Sequence, residues 1–192
     1  MPVHTHQPAS QNDATDNHHQ TIQLAVLPEL TDKAKLYPGC CLALSRSLIE
    51  HIHSLLPPPS ALSLSIGSGF GLLEAHLLAL PQSPLLLGVE VEPTPNQYLP
   101  ATNHSVVHGS RFLEPLAAEA TTWLFVYPRR VGLVREYLDD YGQGMLRHII
   151  WIGPQADWED YSGCFTGWDV QIQSADEVGG RAWDMIVVAT IP

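Results

Sequence analysis

One short segment constrains the fold of this chain more than any other: a buried strand that runs straight into three glycines at alternate positions and then into an apolar helix. It reads Leu62-Ser63-Leu64-Ser65-Ile66-Gly67-Ser68-Gly69-Phe70-Gly71-Leu72-Leu73-Glu74. A junction of this kind belongs to an α/β sheet, and its glycines let a ligand approach bare backbone N–H groups at a helix N-terminus.

The flanking sequence repeats the strand-then-helix theme. Ala61 to Ile66, Leu85 to Val91, Ser105 to His108, Thr122 to Tyr127 and His148 to Ile152 are apolar runs too short for helices, and each predicts a strand. Between them the spacing predicts helices over Leu72 to Leu80, Asn96 to Leu99, Leu113 to Ala120, Val131 to Tyr141 and Trp158 to Tyr161. Alternation with continuous apolar strands implies a parallel sheet covered on both faces. The end differs, because Trp168 to Gln173 and Ala182 to Thr190 are extended runs joined through Gly179-Gly180. That is a hairpin, so the last strand should run antiparallel to the others.

Upstream, Cys40 to Leu55 places Leu42, Leu44, Leu48, Ile49 and Ile52 at three-to-four spacing, which predicts an amphipathic helix stopped by Pro57-Pro58-Pro59. Residues 1–20 are polar and His-rich with almost nothing to bury, and they read as a disordered tail in which His4, His6, His18 and His19 are solvated. The 192 residues suffice for one domain with a full core. The expected organisation is a tail over 1–20, a helical segment over 21–60 that covers the pocket, and a main domain over 61–192.

Lys and Arg number 9 against 20 Asp and Glu, giving a net charge of -11, and both lysines, Lys33 and Lys35, lie early. No basic stripe exists for a phosphate backbone, so nucleic acid is not an expected partner. No apolar run reaches the roughly 20 residues of a membrane span, and the N-terminus lacks the apolar stretch of a signal peptide. These features predict a soluble, cytoplasmic protein. The cysteines, Cys40, Cys41 and Cys164, fit neither a disulfide framework nor the CxxC spacing of a zinc site, so reduced thiols and no metal are expected.

The glycine spacing is GxGxG rather than the GxGxxG of dinucleotide sites, since position 72 is Leu. That spacing favours S-adenosylmethionine over NAD. Together with the acidic end of the second strand, Gly88-Val89-Glu90-Val91-Glu92-Pro93, and the terminal hairpin, it resembles the class I, Rossmann-like, S-adenosylmethionine-dependent methyltransferases over about residues 61–191. The resemblance implies a three-layer α/β sandwich with a mostly parallel seven-stranded sheet and a C-terminal antiparallel hairpin. It also implies a cofactor site formed by Ser65, Gly67, Ser68, Gly69, Gly71, Glu90, Val91, Ser110 and Arg111, with Glu90 on the ribose diol and Ser110 near the adenine amine. Two departures stand out: family members often carry an acidic residue where Ser65 stands, and an Asp where Ser110 stands.

Ligands of open parallel sheets sit beyond the strand C-termini, which draws attention to Tyr127-Pro128-Arg129-Arg130 after the fourth strand. Family members that methylate amino or amide nitrogen often carry an Asn/Asp-Pro-Pro-aromatic motif here, so an O- or C-acceptor on a small molecule is the expectation. Tyr127 is a candidate for orienting the acceptor and His108 for accepting a proton. Arg129 and Arg130 suit a carboxylate, or an ion pair with an acid such as Asp139, and Trp158 is a candidate cover for an aromatic substrate. The pocket would be closed by the N-terminal segment or by a second subunit of a homodimer. Two other readings are a methyltransferase-like scaffold that binds a partner without methyl transfer, and an enzyme of this fold that catalyses another reaction, such as a cyclisation.

Overall fold

The computed structural model describes residues 24–109 and 111–192. The tail over 1–20, its histidines, Ile22 and Ser110 lie outside the described residues. Seven strands form one sheet: β1 (Ser63–Ile66), β2 (Leu86–Val91), β3 (His104–Val107), β4 (Thr122–Val126), β5 (His148–Pro154), β6 (Asp169–Ser174) and β7 (Asp184–Thr190). The order across the sheet is β3-β2-β1-β4-β5-β7-β6. The pairs β1 with β2, β1 with β4, β2 with β3 and β4 with β5 are parallel, whereas β7 runs antiparallel to both of its neighbours. The fold is the expected three-layer, Rossmann-like sandwich.

Alternation along each strand feeds two cores. Trp123, Phe125 and Trp151 pack on one face with Val134, Tyr137, Tyr161 and Phe165, while Leu124, Ile150 and Ile152 pack on the other with Leu48, Ile52, Leu72 and Leu77. Burial on both faces explains the unbroken apolar stretches of the central strands, Trp123–Val126 of β4 and Ile149–Ile152 of β5. Trp123 and Trp151 are core residues, 0% and 1% exposed.

Among the described residues four α-helices cover the sheet: α1 (Arg46–Leu55), α2 (Leu72–Leu78), α3 (Val131–Tyr141) and α4 (Trp158–Ser162). α1 begins later than the spacing from Cys40 predicts. Ser45 caps it by accepting from the Leu48 N–H at 3.1 Å, and Leu44 instead forms a β-bridge with Lys35. The helices expected over Asn96 to Leu99 and Leu113 to Ala120 do not form. In the first, the Asn96 side chain both accepts from the Leu99 N–H and donates to its carbonyl, replacing helical bonds in a stretch flanked by Pro95 and Pro100. The second shrinks to a single 3-10 turn, Pro115–Ala118, capped by Glu114. The β2–β3 and β3–β4 connections therefore lack α-helices, and that side of the cavity below is walled by loops.

Candidate functional site

The glycine loop leaves the C-terminal end of β1 and is tied to β2. The Gly67 and Ser68 N–H groups both donate to the Val89 carbonyl, at 2.9 and 3.0 Å, and the Gly69 N–H donates to Glu90 Oε2 at 2.7 Å. The expectation of bare amides is corrected here, since holding the turn against β2 consumes them. The glycines serve different ends. Space over the Gly67 Cα is empty to 4 Å, whereas a Cβ on Gly71 would lie 2.7 Å from Leu99 Cγ and 2.8 Å from Asn96 Oδ1. Gly67 leaves room for a ligand; Gly71, at φ +77°, is required by packing and by the left-handed cap of α2.

Beyond the loop lies a cavity of about 720 Å³. Gly67, Ser68, Gly69, Glu90 and Val91 all line it, so the structure brings five of the expected cofactor residues together. Ser65 is buried beneath, its Oγ donating to Glu74 Oε1 at 2.5 Å. Phe112, 64% exposed, lines the cavity together with Pro93 and Pro95. Gly39, Cys40 and Cys41, from the segment before α1, complete the wall. Arg111 is exposed and does not line this cavity.

A second cavity, about 480 Å³, opens beside the first at the ends of β4 and β5. Cys41 and Tyr127 through Arg130 line both, and Trp151, Asp157, Asp160 and Tyr161 line the second. Tyr127 is the partition. It holds φ +50°, unusual for a bulky residue, with its N–H on the Ile152 carbonyl at 2.7 Å and its hydroxyl donating to Asp184. Burial and the Asp184 carboxylate push the Tyr127 hydroxyl well above the usual phenol range, so it remains a donor. Asp184 is itself fully buried, which raises its carboxyl, and its Oδ2 has no hydrogen-bond partner.

Other candidates lie elsewhere. His108 Nδ1 is 2.6 Å from Glu92 Oε2 on the exterior, with side chains 77% and 60% exposed, and it lines neither cavity. Arg130 forms a fork with a nearby acid, Glu136, at 2.6 and 2.7 Å. Trp158 stacks on Phe165 at 5.5 Å and touches Trp151, so it packs in the core and covers neither cavity.

Glu74, Asp184 and Phe112 are site residues that sequence reasoning missed. A signal existed for two of them: Glu74 and Asp184 are single carboxylates within otherwise apolar runs, which is unfavourable unless the group has a task. No group of three or more His, Cys, Asp or Glu side chains able to hold a metal ion occurs among the described residues. No described helix is long and apolar enough to cross a membrane.

No protein-family model matches the sequence, and no curated protein matches it. Solved structures do. A precorrin-6y C5,15-methyltransferase from Geobacter metallireducens superposes with a TM-score of 0.58 at 12% identity, covering 83% of this chain and 93% of that one. The glycopeptide N-methyltransferase MtfA, complexed with S-adenosylmethionine, gives 0.55 at 14% identity over 76% of this chain and 93% of its own. A tRNA methyltransferase from Aquifex aeolicus gives 0.55 at 11% identity over 81% and 73%. With its strand order, its glycine loop and these neighbours, the chain has the class I, Rossmann-like fold of the S-adenosylmethionine-dependent methyltransferases.

Proposed function

We propose that this protein is an S-adenosylmethionine-dependent methyltransferase acting on a small-molecule acceptor, at O or C rather than at an amide nitrogen. The observation that carries this reading is the pair of joined cavities, one at the glycine loop and one at the ends of β4 and β5, partitioned by Tyr127. Their volumes fall within the range of small-molecule sites. The residues of the larger cavity fit the cofactor: Gly67 leaves open space, and Glu90 presents a carboxylate at the strand end.

In this reading Gly67, Ser68 and Gly69 bound the amino-acid arm, Glu90 accepts from the ribose diol, and Val91 and Phe112 flank the base. The cofactor supplies an electrophilic methyl group; this chain supplies orientation. Tyr127 shapes the passage between the two cavities, and Arg129 offers a cation to a carboxylate of the acceptor. His108, paired with Glu92 on the exterior, is not assigned as base. A net charge of -11 favours a small acceptor over a nucleic acid. The segment before α1 acts as the cover, through Gly39, Cys40 and Cys41.

Calorimetric titration with S-adenosylmethionine and S-adenosylhomocysteine tests the reading, and binding of both is expected. Absence of binding at millimolar concentration would leave a partner-binding scaffold. Binding without methyl transfer to any acceptor would favour a different reaction on this fold, such as a cyclisation.

A further inference from the structure

Glu74 is the most unusual group in the larger cavity. It is 2% exposed on α2, lines the cavity beneath the loop, and makes a single side-chain hydrogen bond, from Ser65. Its Oε2 is buried with no partner. A buried acceptor left in that state is costly, and a buried carboxylate without a cation more so.

No cation is among the groups that act on Glu74. From β2 the nearby charge is Glu90; the segment before α1 brings the Cys40 and Cys41 thiols; α2 itself carries His76. Burial and the Glu74 carboxylate push the Cys40 thiol up to about 12, and burial lowers His76, so both stay neutral near neutral pH. Tyr127 stays protonated, and Arg129 and Arg130 line the stretch shared with the second cavity. Desolvation accordingly holds the Glu74 carboxyl near pH 7 rather than 4.5. Before a ligand arrives, Glu74 is largely a neutral acid at slightly acid pH.

We infer that Glu74 Oε2 receives the ammonium group of a bound amino-acid-bearing nucleoside, and that binding ionises Glu74 and releases its proton to solvent. An ammonium is required rather than a sulfonium, because the orphan oxygen needs an N–H donor and a sulfonium has none to give. The balance is simple: neutral carboxylic acid plus ligand ammonium becomes carboxylate paired with ammonium, and one proton leaves. Ser65 donates to the other oxygen throughout and favours the ionised form. The inference rests on the cofactor reading above and adds a charge-sensing role that the glycine loop does not provide.

The test is titration calorimetry at about pH 6 in buffers of different ionisation enthalpy, using S-adenosylmethionine, S-adenosylhomocysteine and methylthioadenosine. The first two carry the ammonium and should each release nearly one proton; methylthioadenosine lacks it and should release none. Affinity for S-adenosylhomocysteine should rise by up to ~10-fold per pH unit between about pH 5 and 7, then level off. Glu74→Gln should abolish both the release and the slope. Ser65→Ala, which removes the donor to the carboxylate, should move the levelling point to higher pH. Equal release by methylthioadenosine, release by S-adenosylmethionine alone, or undiminished release from Glu74→Gln would each overturn the assignment. Failure of the parent protein to bind any of the three would overturn the cofactor reading along with it.

Discussion

Glu74 and Glu90 line the same cavity in opposite ways. At the rim, Glu90 accepts from two backbone N–H groups, those of Gly69 and Val91, and is supported without a ligand. At the floor, Glu74 has one hydroxyl donor and an oxygen with none. The same division separates Asp184, buried behind Tyr127 with an orphan oxygen, from Glu92, which pairs with His108 on the exterior. The rim holds its charges in solvent or on backbone. The floor stores them as unmet demand, which is where a ligand's donors gain most.

The largest expected effect is on the floor. In the absence of ligand Glu74 titrates at about 7 in the folded protein against the ordinary 4.5 of a solvated glutamate, so between those pH values the folded protein binds more protons than the unfolded one. Stability is therefore highest below about pH 4.5 with respect to this group and falls as pH rises through about 7, by about 3 kcal/mol in all. Denaturant unfolding of the parent and of Glu74→Gln across this range should show a steeper fall in the parent, the fall left in the variant being that of Asp184. An identical slope in both would place the difference between floor and rim elsewhere.

Next comes the rim. Glu90→Gln removes the charge and one acceptor, with an expected loss of about 1.5–3 kcal/mol in binding S-adenosylhomocysteine, the range for hydrogen bonds to a charged group. Stability should fall as well, by about 1 kcal/mol, because the Gln amide nitrogen cannot accept one of the two backbone N–H groups that Glu90 holds. Tyr127→Phe, back on the floor, leaves both Asp184 oxygens without a side-chain donor and should cost about 1–2 kcal/mol of stability, read from the unfolding midpoint. An unchanged midpoint would mean that water satisfies Asp184 and that the floor is wetter than its burial implies.

The smallest effect belongs to the outer pair. Glu92→Gln and His108→Ala should each change stability and affinity by less than ~0.5 kcal/mol, as expected of an exposed ion pair. A loss at Glu92 exceeding that at Glu90 would move the ribose contact two residues along β2.

What the sequence showed, and what it hid, divides along physical lines. The strands and α3 were legible because a continuous apolar run or a sustained helical period has one economical reading. The helices expected over 96–99 and 113–120 were not, because side chains of Asn96 and Glu114 intercept backbone groups next to prolines, and periodicity carries no trace of that. At the site, the loop was legible as glycines in a row, but their different duties were not. Whether Gly71 meets Leu99 and Asn96 depends on a connection distant in the pattern. Arg130 pairs with Glu136 because α3 starts immediately after it and turns that carboxylate back toward the helix N-terminus. Glu74 was hidden by its own helix, whose apolar neighbours made it look like an interruption.

The position of β7 has a consequence for how the molecule comes together in time. β6 precedes β7 in the chain, yet reaches the sheet only through it, since β7 lies between β5 and β6. During synthesis β6 must wait outside the nascent sheet until residues Asp184–Thr190 have been made and inserted beside β5. Asp184 opens that strand, and the Tyr127 hydroxyl has no carboxylate to hold until it arrives. The glycine loop, built from β1 and β2, can be shaped early; the partition between the two cavities is among the last parts to be set.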